Sequence, residues 1–538
     1  MAAVRRVVSI GGGPGGLLAA TLIKQSDPAT EVVVLDRDPA DAAYGFGVVF
    51  SASALSKLNE AVPWLHDDLS RAGRHWEHIE LRLRGDRARL GGNGFTAVGR
   101  TALLRSLRHH AEAAGVRVRH ETEVTDPRDV DADLVLGADG VSSLVRTTFA
   151  EHFRPDARTA QAHFVWFGAY ADFAGLTFLF ERTEHGWFAV HGYPYDEDGR
   201  CTFLVETDPH SWRSAGATDG LPPGPGHTDD VARRFCAQVF SDHLLRPELL
   251  GNGSVWRNFV TMRTASWSHD RYVLLGDAAH TAHFSVGSGT TMALGDAIAL
   301  ASALRDIESA GDLPGALRHY EAARRPSVER LQAAALPSMG WWENFRRYVE
   351  LPMPQFAMHF LDRSGRITHD RAARQDPGFV AGLDRWFSGG SGVDAVLGTP
   401  FTADGWSTPG RTVTLAPEVA LGVSALRPLV LRGTELLTAV GDPRAGDVSA
   451  LLVDRVRGQR DVDDRVDGAV RSGAKVVAVR AGAPDEDARL AQINISERLR
   501  IEHRIPTALV EPAPDREHAA QLVLSGRADL VAVPASSP

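Results

Sequence analysis

The chain has 538 residues, of which 43% are hydrophobic and 23% charged, a balance typical of a globular protein with two or three domains. Its net charge of −10 and the absence of a basic run argue against a nucleic-acid-binding surface. Two cysteines, and no apolar run near the roughly 18 residues that span a bilayer, argue against a disulfide scaffold, a cysteine-based metal site and a membrane segment.

The first predicted elements form one strand–helix–strand unit. Residues 4–10 have the pattern of a buried strand, residues 17–25 that of a helix and residues 31–35 that of a second strand. The first strand leads directly into a glycine loop, so we expect a cytoplasmic protein without a signal peptide. Buried strands recur at residues 132–137 and 271–275, which predicts a discontinuous dinucleotide-binding domain.

The segment between these strands has a different pattern. Four stretches alternate, are rich in aromatic residues and are predicted to be antiparallel strands of a second sheet. They are residues 164–170, 176–181, 186–193 and 202–207. Residues 292–339 have a helical pattern, and the glycine- and serine-rich residues 388–392 are predicted to be a linker into a C-terminal region.

A glycine motif, Gly11-x-Gly13-x-x-Gly16, separates the first strand from the first helix. Glycine lets the backbone turn tightly and approach a pyrophosphate, which the helix N-terminus stabilises with its free N–H groups. Asp36, at the end of the second strand, can accept hydrogen bonds from ribose hydroxyls. The predicted dinucleotide contacts here are Gly11, Gly13, Gly15, Gly16, Asp36 and the adjoining Arg37.

Two further motifs favour a flavin as the nucleotide. Asp139-Gly140 and Gly276-Asp277 each follow a predicted strand, and the carboxylate of Asp277 suits ribityl hydroxyls. The helix that begins at residues 287–289 suits the flavin pyrimidine edge, because a helix N-terminus stabilises the negative charge of the reduced ring. The predicted contacts of this part are Arg100, Asp139, Asp277, Gly287, Gly289 and Thr290.

Taken in order, these motifs resemble the signature of the class A flavin-dependent aromatic hydroxylases of the p-hydroxybenzoate hydroxylase type. The resemblance is most specific to the branch that acts on salicylyl-CoA and anthraniloyl-CoA, and it extends from residue 4 to about residue 387. It rests on Gly45-Phe-Gly-Val-Val-Phe50, Phe164-Val-Trp-Phe-Gly168, Ala189-Val-His-Gly-Tyr-Pro194, Trp256-Arg-Asn-Phe259 and residues 281–290. His283-Phe284 stands where the family usually has a proline, and Thr291 stands where it has an asparagine.

The resemblance implies an FAD-dependent monooxygenase for a hydroxylated or aminated aromatic or pyridine ring. In this family NAD(P)H reduces FAD, dioxygen forms a C4a-hydroperoxide, and the ring takes one oxygen atom from it. NAD(P)H is expected as a transient co-substrate, because the sequence has no second GxGxxG motif. The expected partners are the small aromatic substrate and dioxygen. The ring is either CoA-linked or a phenol or hydroxypyridine of natural-product biosynthesis.

His191 and Tyr193 are two residues apart on a predicted strand and therefore point to the same face. Together with His283 they are the predicted acid–base residues, and a hydrogen-bonded structural histidine is the alternative for His191. The predicted substrate contacts are Gly47, Val49, Trp166, Phe188 and Phe203, and no metal site is predicted.

The C-terminal region resembles the last two strand regions of an old-yellow-enzyme FMN barrel. The resemblance lies in Ser496-Glu-Arg-Leu-Arg-Ile-Glu-His-Arg-Ile-Pro-Thr507 and Leu524-Ser-Gly-Arg-Ala-Asp-Leu-Val-Ala-Val533. About 140 residues remain where an eightfold barrel needs roughly 250, so we predict a truncated remnant without FMN. The open sheet edges of such a remnant would need to be covered, so we expect a homo-oligomer formed through this region.

These predictions combine into an α/β fold with three parts. A Rossmann-like FAD-binding domain with its following helices comprises residues 1–75, 96–160 and 265–390. An antiparallel substrate-binding sheet of residues 76–95 and 161–264 is inserted into it, and residues 395–538 form the remnant of a TIM barrel.

Other functions share parts of this pattern. A flavin-dependent halogenase needs a WxWxIP segment, which the sequence does not contain, and a pocket lysine, for which only Lys57 is available. A two-component enzyme served by a separate reductase and a non-catalytic cofactor-binding scaffold are the remaining alternatives. In every case we expect neither a nucleic-acid partner nor a membrane partner.

Overall fold

The computed structural model describes residues 4–42, 44–217, 226–287, 289–305, 307–365, 367–403, 405–415, 426–437, 443–512 and 515–534. The chain divides into two compact units. The first comprises Met1–Gly85 and Gly92–Asn344, and the second comprises Asp86–Gly91 and Phe345–Pro538. None of the helices within the described ranges is long and apolar enough to cross a membrane.

The strands as far as residue 274 are, in chain order, β1 (Arg6–Ile10), β2 (Glu31–Leu35), β3 (Gly47–Ser51), β4 (Arg74–Trp76), β5 (Ile79–Leu83), β6 (Asp86–Leu90), β7 (Phe95–Gly99), β8 (Arg117–Arg119), β9 (Leu134–Gly137), β10 (Pro155–Tyr170), β11 (Leu176–Thr183), β12 (Gly186–Pro194), β13 (Arg200–Thr207), β14 (Arg257–Thr264), β15 (Ser268–His269) and β16 (Tyr272–Leu274). The α-helices of the first unit are α1 (Pro14–Ser26), α2 (Ala52–Ala61), α3 (Pro63–Ala72), α4 (Arg100–Ala114), α5 (Leu144–Thr148), α6 (Ala150–Phe153), α7 (Pro209–Ser214), α8 (Asp230–Val239), α9 (Gly289–Leu304) and α10 (Leu313–Glu343).

The second unit adds strands β17 (Phe401–Ala403), β18 (Trp406–Thr408), β19 (Thr412–Leu415), β20 (Leu426–Leu437), β21 (Pro443–Val456), β22 (Val477–Ala481), β23 (Thr507–Val510) and β24 (Leu530–Pro534). Its helices are α11 (Phe345–Tyr348), α12 (Met353–Leu361), α13 (His369–Gln375), α14 (Pro377–Ser388), α15 (Val393–Leu397), α16 (Val462–Ser472), α17 (Glu486–Glu497) and α18 (Arg516–Leu524).

A six-stranded sheet in the order β15-β16-β9-β1-β2-β8 forms the frame of the first unit. Strand β1 pairs in parallel with β2 on one side and with β9 on the other, and β16 pairs in parallel with β9. Val7, Val33 and Leu134 are buried in these strands, as apolar parallel strands are when both faces are covered. The carboxyl ends of the parallel strands meet at one edge, where open α/β sheets bind ligands. The predicted Rossmann-like fold is confirmed.

The second sheet of the first unit runs in the order β14-β10-β13-β12-β11-β5. The four predicted antiparallel strands are present as β10 to β13, and β10 begins at Pro155, before the strand start predicted at residue 164 and the segment start predicted at residue 161. Strand β7, which lies partly within the predicted residues 76–95, instead pairs with β3 and β4 in a three-stranded sheet. Side chains alternate between the two faces of the large sheet, so each face has a different function.

Six strands of the second unit close into a ring in the order β20-β19-β24-β23-β22-β21, because β21 pairs back onto β20. Strands β19, β24, β23, β22 and β21 run parallel, and β20 is antiparallel to both of its neighbours. Every strand of the ring is thus paired on both sides within the described ranges. The ring itself therefore has no open edge within the described ranges, and β17, which pairs with β18, lies at the end of the sheet. The homo-oligomer, which was predicted from open edges of a partial barrel, stays a prediction.

The boundary between the units lies near residue 344 and not at residues 390–395 as predicted. The physical reason is a shared core, in which Met358 and Leu383 from the helices pack with Val453 and Val479 from the ring. Residues 388–392 lie inside this unit, where the backbone N–H of Gly392 donates to Asp384 Oδ2 at 2.8 Å. The linker prediction was wrong, because this glycine-rich segment is a bonded turn between α14 and α15.

A chain that ends at Ser391 is expected to lose most of its soluble yield. Its remaining helices would expose Met358 and Leu383, whose partners lie beyond the cut, at a cost of about 1.5–3 kcal/mol for each such side chain. Soluble yield and melting temperature, compared with the full chain, measure the effect. A chain that ends at Asn344 is the matched control, because it removes that core as a whole. Equal yield and melting temperature for the Ser391 and full-length chains would contradict the shared core.

Candidate active site

The glycine loop after β1 leaves an open space in front of helix α1. Gly11 has a positive φ of +105°, and a Cβ there would lie 2.3 Å from the backbone oxygen of Ala138, so only glycine fits. Gly13 is the N-cap of α1 and its side-chain position has no protein atom within 4 Å. The first N–H groups of α1 therefore face a space that a phosphate could fill.

The other glycines of the loop make close packing possible. A Cβ on Gly16 would lie 2.3 Å from the oxygen of Gly11, and a Cβ on Gly15 would lie 3.3 Å from Ala293 of α9. Asp36 follows β2 and approaches the loop so closely that a Cβ on Gly12 would lie 2.3 Å from its Oδ2. This position suits a carboxylate that accepts hydrogen bonds from a ribose, as predicted.

The neighbouring Arg37 is exposed beyond the end of β2. The structure places it beside Asp36 along the chain, and its charge opposes the rise in the pKa of Tyr44. Its predicted role as a cofactor contact stays a prediction.

Asp139 has one oxygen engaged and one available. Its Oδ2 accepts from the backbone N–H of Leu144 at 2.6 Å and so caps α5. Its Oδ1 is buried and has no hydrogen-bond partner among the described residues. Arg146, which the predicted contacts omit, donates to the oxygen of Ala278 at 2.8 Å and so ties the loop after β9 to the loop after β16.

Asp277 lies at the end of β16 in a position that is open yet lined by protein. Its side chain is exposed, but desolvation by the surrounding atoms raises its pKa against the opposing charges of Arg100 and His280. Desolvation also lowers the pKa of Arg100, which is half-buried at the start of α4. An open carboxylate beside a partly desolvated guanidinium is a site for a polar ligand.

The loop that holds Asp277 is fixed by a buried acid. Asp296 accepts from the backbone N–H of Gly276 at 2.9 Å, pairs with His280 at 2.8 Å and accepts from Arg324 at 2.9 Å. Asp296 is fully buried, so this network holds the loop in place. His280 thus has a structural contact in this loop.

The start of α9 closes the other end of the predicted cofactor site. Gly287 has a φ of +63°, and a Cβ there would lie 3.5 Å from Val49. Gly289 has open space at its side-chain position, and Thr290 is half-buried in the first turn of α9. The predicted flavin contact at this helix N-terminus and the predicted substrate contact Val49 therefore lie next to each other.

These features fit FAD. The open position at Gly13 suits a pyrophosphate, the unpartnered Oδ1 of Asp139 and the open carboxylate of Asp277 suit hydroxyl groups, and Gly289 leaves room at a helix N-terminus. Within the described ranges, no group of three or more His, Cys, Asp or Glu side chains is placed to hold a metal ion.

Tyr193 is on the same face of its strand as His191 but has a different partner. Its hydroxyl donates to the oxygen of Gly47 at 2.9 Å, and the hydroxyl of Thr202 accepts from the N–H of Gly47 at the same distance. Burial raises the pKa of Tyr193 to about 12, so it stays protonated near neutral pH. The structure thus gives Tyr193 a supporting contact to the strand of Gly47 and Val49.

His191 and His283 converge on one buried carboxylate, that of Glu206 on β13. His191 Nε2 lies 2.9 Å from Glu206 Oε2, and His283 Nε2 lies 3.6 Å from Glu206 Oε1. Glu206 is 1% exposed. Burial alone would raise its pKa, but the hydrogen bonds of His191 and His283, together with the positive charge of either ring when it is protonated, outweigh this and hold the pKa below its usual value. The acid is therefore an anion at neutral pH.

Aromatic rings surround this group. The His191 ring lies 4.1 Å from the ring of Trp342, 5.1 Å from Phe178 and 5.3 Å from Phe284, between ring centroids. Trp166 pairs with Leu204 and so lies on the same face as His191, and a Cβ on Gly45 would lie 3.8 Å from its ring. This face is an apolar wall with one buried acid and two histidines.

Phe188 and Phe203, two predicted substrate contacts, lie on the opposite face of the sheet. Both belong to the apolar core that packs against α8, with Cys236 and Phe240. The reason is the two-residue period of a strand, since Phe188 is an odd number of residues from His191 and Phe203 is an odd number from Glu206. Their assignment to the pocket was wrong.

Glu206 is the functional candidate that the sequence-based prediction missed. It is the one acidic residue in the otherwise uncharged run of residues 201–207, and such a residue in a buried strand is a signal for a paired or functional group. Its partner His283 comes from a distant loop, so the pairing itself depends on the tertiary fold.

Comparisons with known proteins agree with this geometry. The family described as FAD binding domain matches residues 5–335. Salicyloyl-CoA 5-hydroxylase from a Streptomyces species is 42% identical over 531 residues, which cover 98% of this chain and 99% of that protein. The 3-hydroxy-4-methyl-anthranilyl-[aryl-carrier protein] 5-monooxygenase of Streptosporangium sibiricum is 35% identical over 375 residues, which cover 70% of this chain and 99% of that protein.

A solved structure supports the fold. The tetrameric form of 2-methyl-3-hydroxypyridine-5-carboxylic acid oxygenase superposes with a TM-score of 0.51 at 20% identity, covering 63% of this chain and 93% of that one. The family match spans more than half of the chain, and the Streptomyces relative matches it nearly end to end. The chain therefore belongs to the FAD binding domain family and is an FAD-dependent aromatic-ring monooxygenase of the class A flavin hydroxylases.

Proposed function

We propose that this enzyme hydroxylates an aromatic ring presented as a CoA thioester of the salicyloyl-CoA type, with NAD(P)H and dioxygen as co-substrates. The observation that carries the proposal is the 42% identity to the Streptomyces salicyloyl-CoA 5-hydroxylase over 98% of this chain. That match includes the second unit. By contrast, the 3-hydroxy-4-methyl-anthranilyl-[aryl-carrier protein] 5-monooxygenase matches only 70% of this chain, although 99% of that relative is covered.

Bound FAD supplies the oxygen-transfer chemistry. In this proposal the loop at Gly13 and the carboxylates of Asp36 and Asp277 hold the cofactor, for the reasons given by their positions at the strand ends. The contribution of the remaining residues is to orient the ring and to exclude water from the reacting atoms. The apolar wall around His191 suits the second task, since Trp342 and Phe178 are buried there.

His191 is the proposed contact for the ring hydroxyl. An imidazole can accept the hydroxyl proton, which leaves the electron pair on the ring oxygen and makes the ring a better nucleophile. His191 is 6% exposed, and its Nε2 atom lies 2.9 Å from the buried carboxylate of Glu206. The negative charge of this carboxylate balances a positive charge that forms on the imidazole. Water does not compete strongly at so buried a position.

The second unit is proposed to hold no FMN. The face of its ring strands that points away from the helices is packed with Trp406 and with leucine, valine and alanine side chains, among them Leu452, Leu530, Ala478 and Ala508. The ring has six strands, whereas a complete barrel of the FMN-binding type has eight. This unit is proposed to act through packing alone.

The proposed substrate is tested with the purified, FAD-loaded chain and salicyloyl-CoA. We expect salicyloyl-CoA to be converted to a product heavier by one oxygen atom, with NAD(P)H consumed as the product forms, because the bound flavin supplies the oxygen-transfer chemistry and NAD(P)H supplies the electrons. Mass spectrometry of the thioester and absorbance of NAD(P)H measure the two effects. Free salicylate is the matched control, since it has the same ring without the CoA carrier.

Two results would contradict the proposal in different ways. Equal conversion of free salicylate would overturn the thioester requirement. Hydroxylation that needs an added flavin reductase would show a two-component enzyme in place of one that uses NAD(P)H directly.

A further inference from the structure

The carboxylate of Glu206 determines which nitrogen of the neighbouring His191 carries the proton. An ionised carboxylate can only accept hydrogen bonds, so the Nε2 atom of His191, 2.9 Å from Glu206 Oε2, must be the donor. A neutral His191 in this position therefore carries its proton on Nε2 and its lone pair on Nδ1. The carboxylate thus selects one of the two tautomers of His191.

His283 is held in the same tautomer by an independent contact. The backbone N–H of Ser285 donates to His283 Nδ1 at 3.3 Å, so Nδ1 is an acceptor and the proton of a neutral His283 lies on Nε2. That Nε2 faces the second oxygen of Glu206 at 3.6 Å. The Ser285 hydroxyl, 2.8 Å from the same Nδ1, lies 2.7 Å from the hydroxyl of Ser338 on α10. His283 is thereby fixed from both sides.

We propose that Glu206 is a positioning residue that holds His191 in the Nε2–H tautomer, so that His191 Nδ1 takes the proton of the ring hydroxyl during hydroxylation. The O–H bond of the substrate breaks, a new N–H bond forms at Nδ1, and the electron pair stays on the ring oxygen. The imidazolium charge is balanced by the carboxylate, as in other sites where an acid orients a histidine base. This inference rests on the proposed function of His191 and deepens it.

The burial of the group explains why one acid serves two histidines. Glu206, His191 and His283 are 1%, 6% and 2% exposed, so an ion without partners would be strongly unfavourable here. His191 Nε2 lies 2.9 Å from one oxygen of Glu206 and His283 Nε2 lies 3.6 Å from the other, so the ionised acid has a partner on each side.

Glu206→Gln gives a sharp test, because an amide has one accepting and one donating end. His283 offers an N–H that its contact with Ser285 fixes, so the amide oxygen must face His283. The amide NH2 group must then donate to His191 Nε2, which forces the His191 proton onto Nδ1. We expect the variant to bind FAD and to lose about 100-fold in product formation from salicyloyl-CoA.

The tautomer is read directly by nitrogen NMR of the FAD-loaded chain with 15N-labelled histidine, without substrate. The His191 signals are assigned by their absence from His191→Gln. The wild type should show an Nε2–H tautomer and Glu206→Gln an Nδ1–H tautomer, whereas Glu206→Asp, which keeps the charge, should keep the wild-type tautomer. Glu181→Gln is the matched control, because Glu181 also pairs with a histidine, His243, at 2.9 Å, but lies on the other sheet face.

Each outcome decides the proposal. A wild-type His191 protonated at Nδ1, or an unchanged tautomer in Glu206→Gln, would overturn it, and the wild-type spectrum alone suffices if the variant does not fold. Switched tautomer with undiminished product formation would overturn it as well. If the wild type binds FAD but does not hydroxylate salicyloyl-CoA, the proposed substrate fails, while the substrate-free spectra still decide the role of Glu206.

Discussion

Replacing Gly13 with valine is expected to give a folded protein without flavin colour. The side-chain position of Gly13 has no protein atom within 4 Å, so valine fits the protein itself. It would instead fill the space in front of the N-terminus of α1, where a pyrophosphate has to approach the backbone. We expect bound FAD to fall from about one per chain to less than about a tenth, which corresponds to at least 1.4 kcal/mol of binding free energy.

Absorbance of the purified protein and chromatography of the released flavin measure this loss, and a melting curve checks the fold. Gly315→Val is the matched control, because Gly315 also has open space at its side-chain position but lies in the exposed first turn of α10. A yellow, fully loaded Gly13→Val protein would contradict the cofactor assignment.

The same chromatography tests whether the second unit binds FMN. Release of FMN from the wild type in an amount equal to FAD would overturn the proposal that this unit binds none.

The frame of the first unit could be predicted because its signals are local. Parallel strands are buried on both faces and appear as unbroken apolar runs, such as residues 4–10, and each run ends in a glycine or acidic motif. Since parallel strands have their carboxyl ends at one edge, the sequence alone predicted that Gly13, Asp36 and Asp277 follow strands at the same edge, and the structure has them just after β1, β2 and β16.

The substrate side was only partly predictable because it depends on pairings that are distant in the sequence. The two-residue period correctly placed His191 and Tyr193 on one face, and the same period, had it been applied, excludes Phe188 from that face. Glu206 lies on β13 of the antiparallel sheet, whereas His283 lies in the loop after β16 of the parallel sheet. No local sequence pattern predicts that these two residues are in contact. Tyr193 shares the face of His191 but donates to Gly47.

The second unit shows the same limit. Its single βα units were recognisable, because β22, β23 and β24 alternate with helices. The ring closes because β21 pairs with β20. The sequence of a strand does not indicate which other strand will pair with its edge. The predicted open edges followed from counting residues against an eightfold barrel, whereas six strands are enough to close this one.

Replacing His191 with alanine is expected to uncouple NAD(P)H oxidation from hydroxylation. The ring must lie within about 3–3.5 Å of the transferred oxygen, and general acid–base assistance contributes about 10²–10⁴-fold to such steps. Without His191 the ring loses its predicted contact, so reducing equivalents pass to hydrogen peroxide. We expect product per NAD(P)H to fall at least about tenfold while FAD stays bound, and both peroxide and hydroxylated product are measured in one reaction.

The ratio of peroxide to product separates a catalytic from a structural role for His191. A structural histidine, packed 4.1 Å from Trp342, would leave a cavity on removal and lower the melting temperature or FAD content, but the enzyme that remains loaded would couple normally. His243→Ala is the matched control, because His243 also pairs with a glutamate at 2.9 Å and lies on the face away from the pocket. Unchanged coupling in a well-folded, FAD-loaded His191→Ala enzyme would reject the proposed role, because a residue that positions the ring cannot be removed without changing where the oxygen goes.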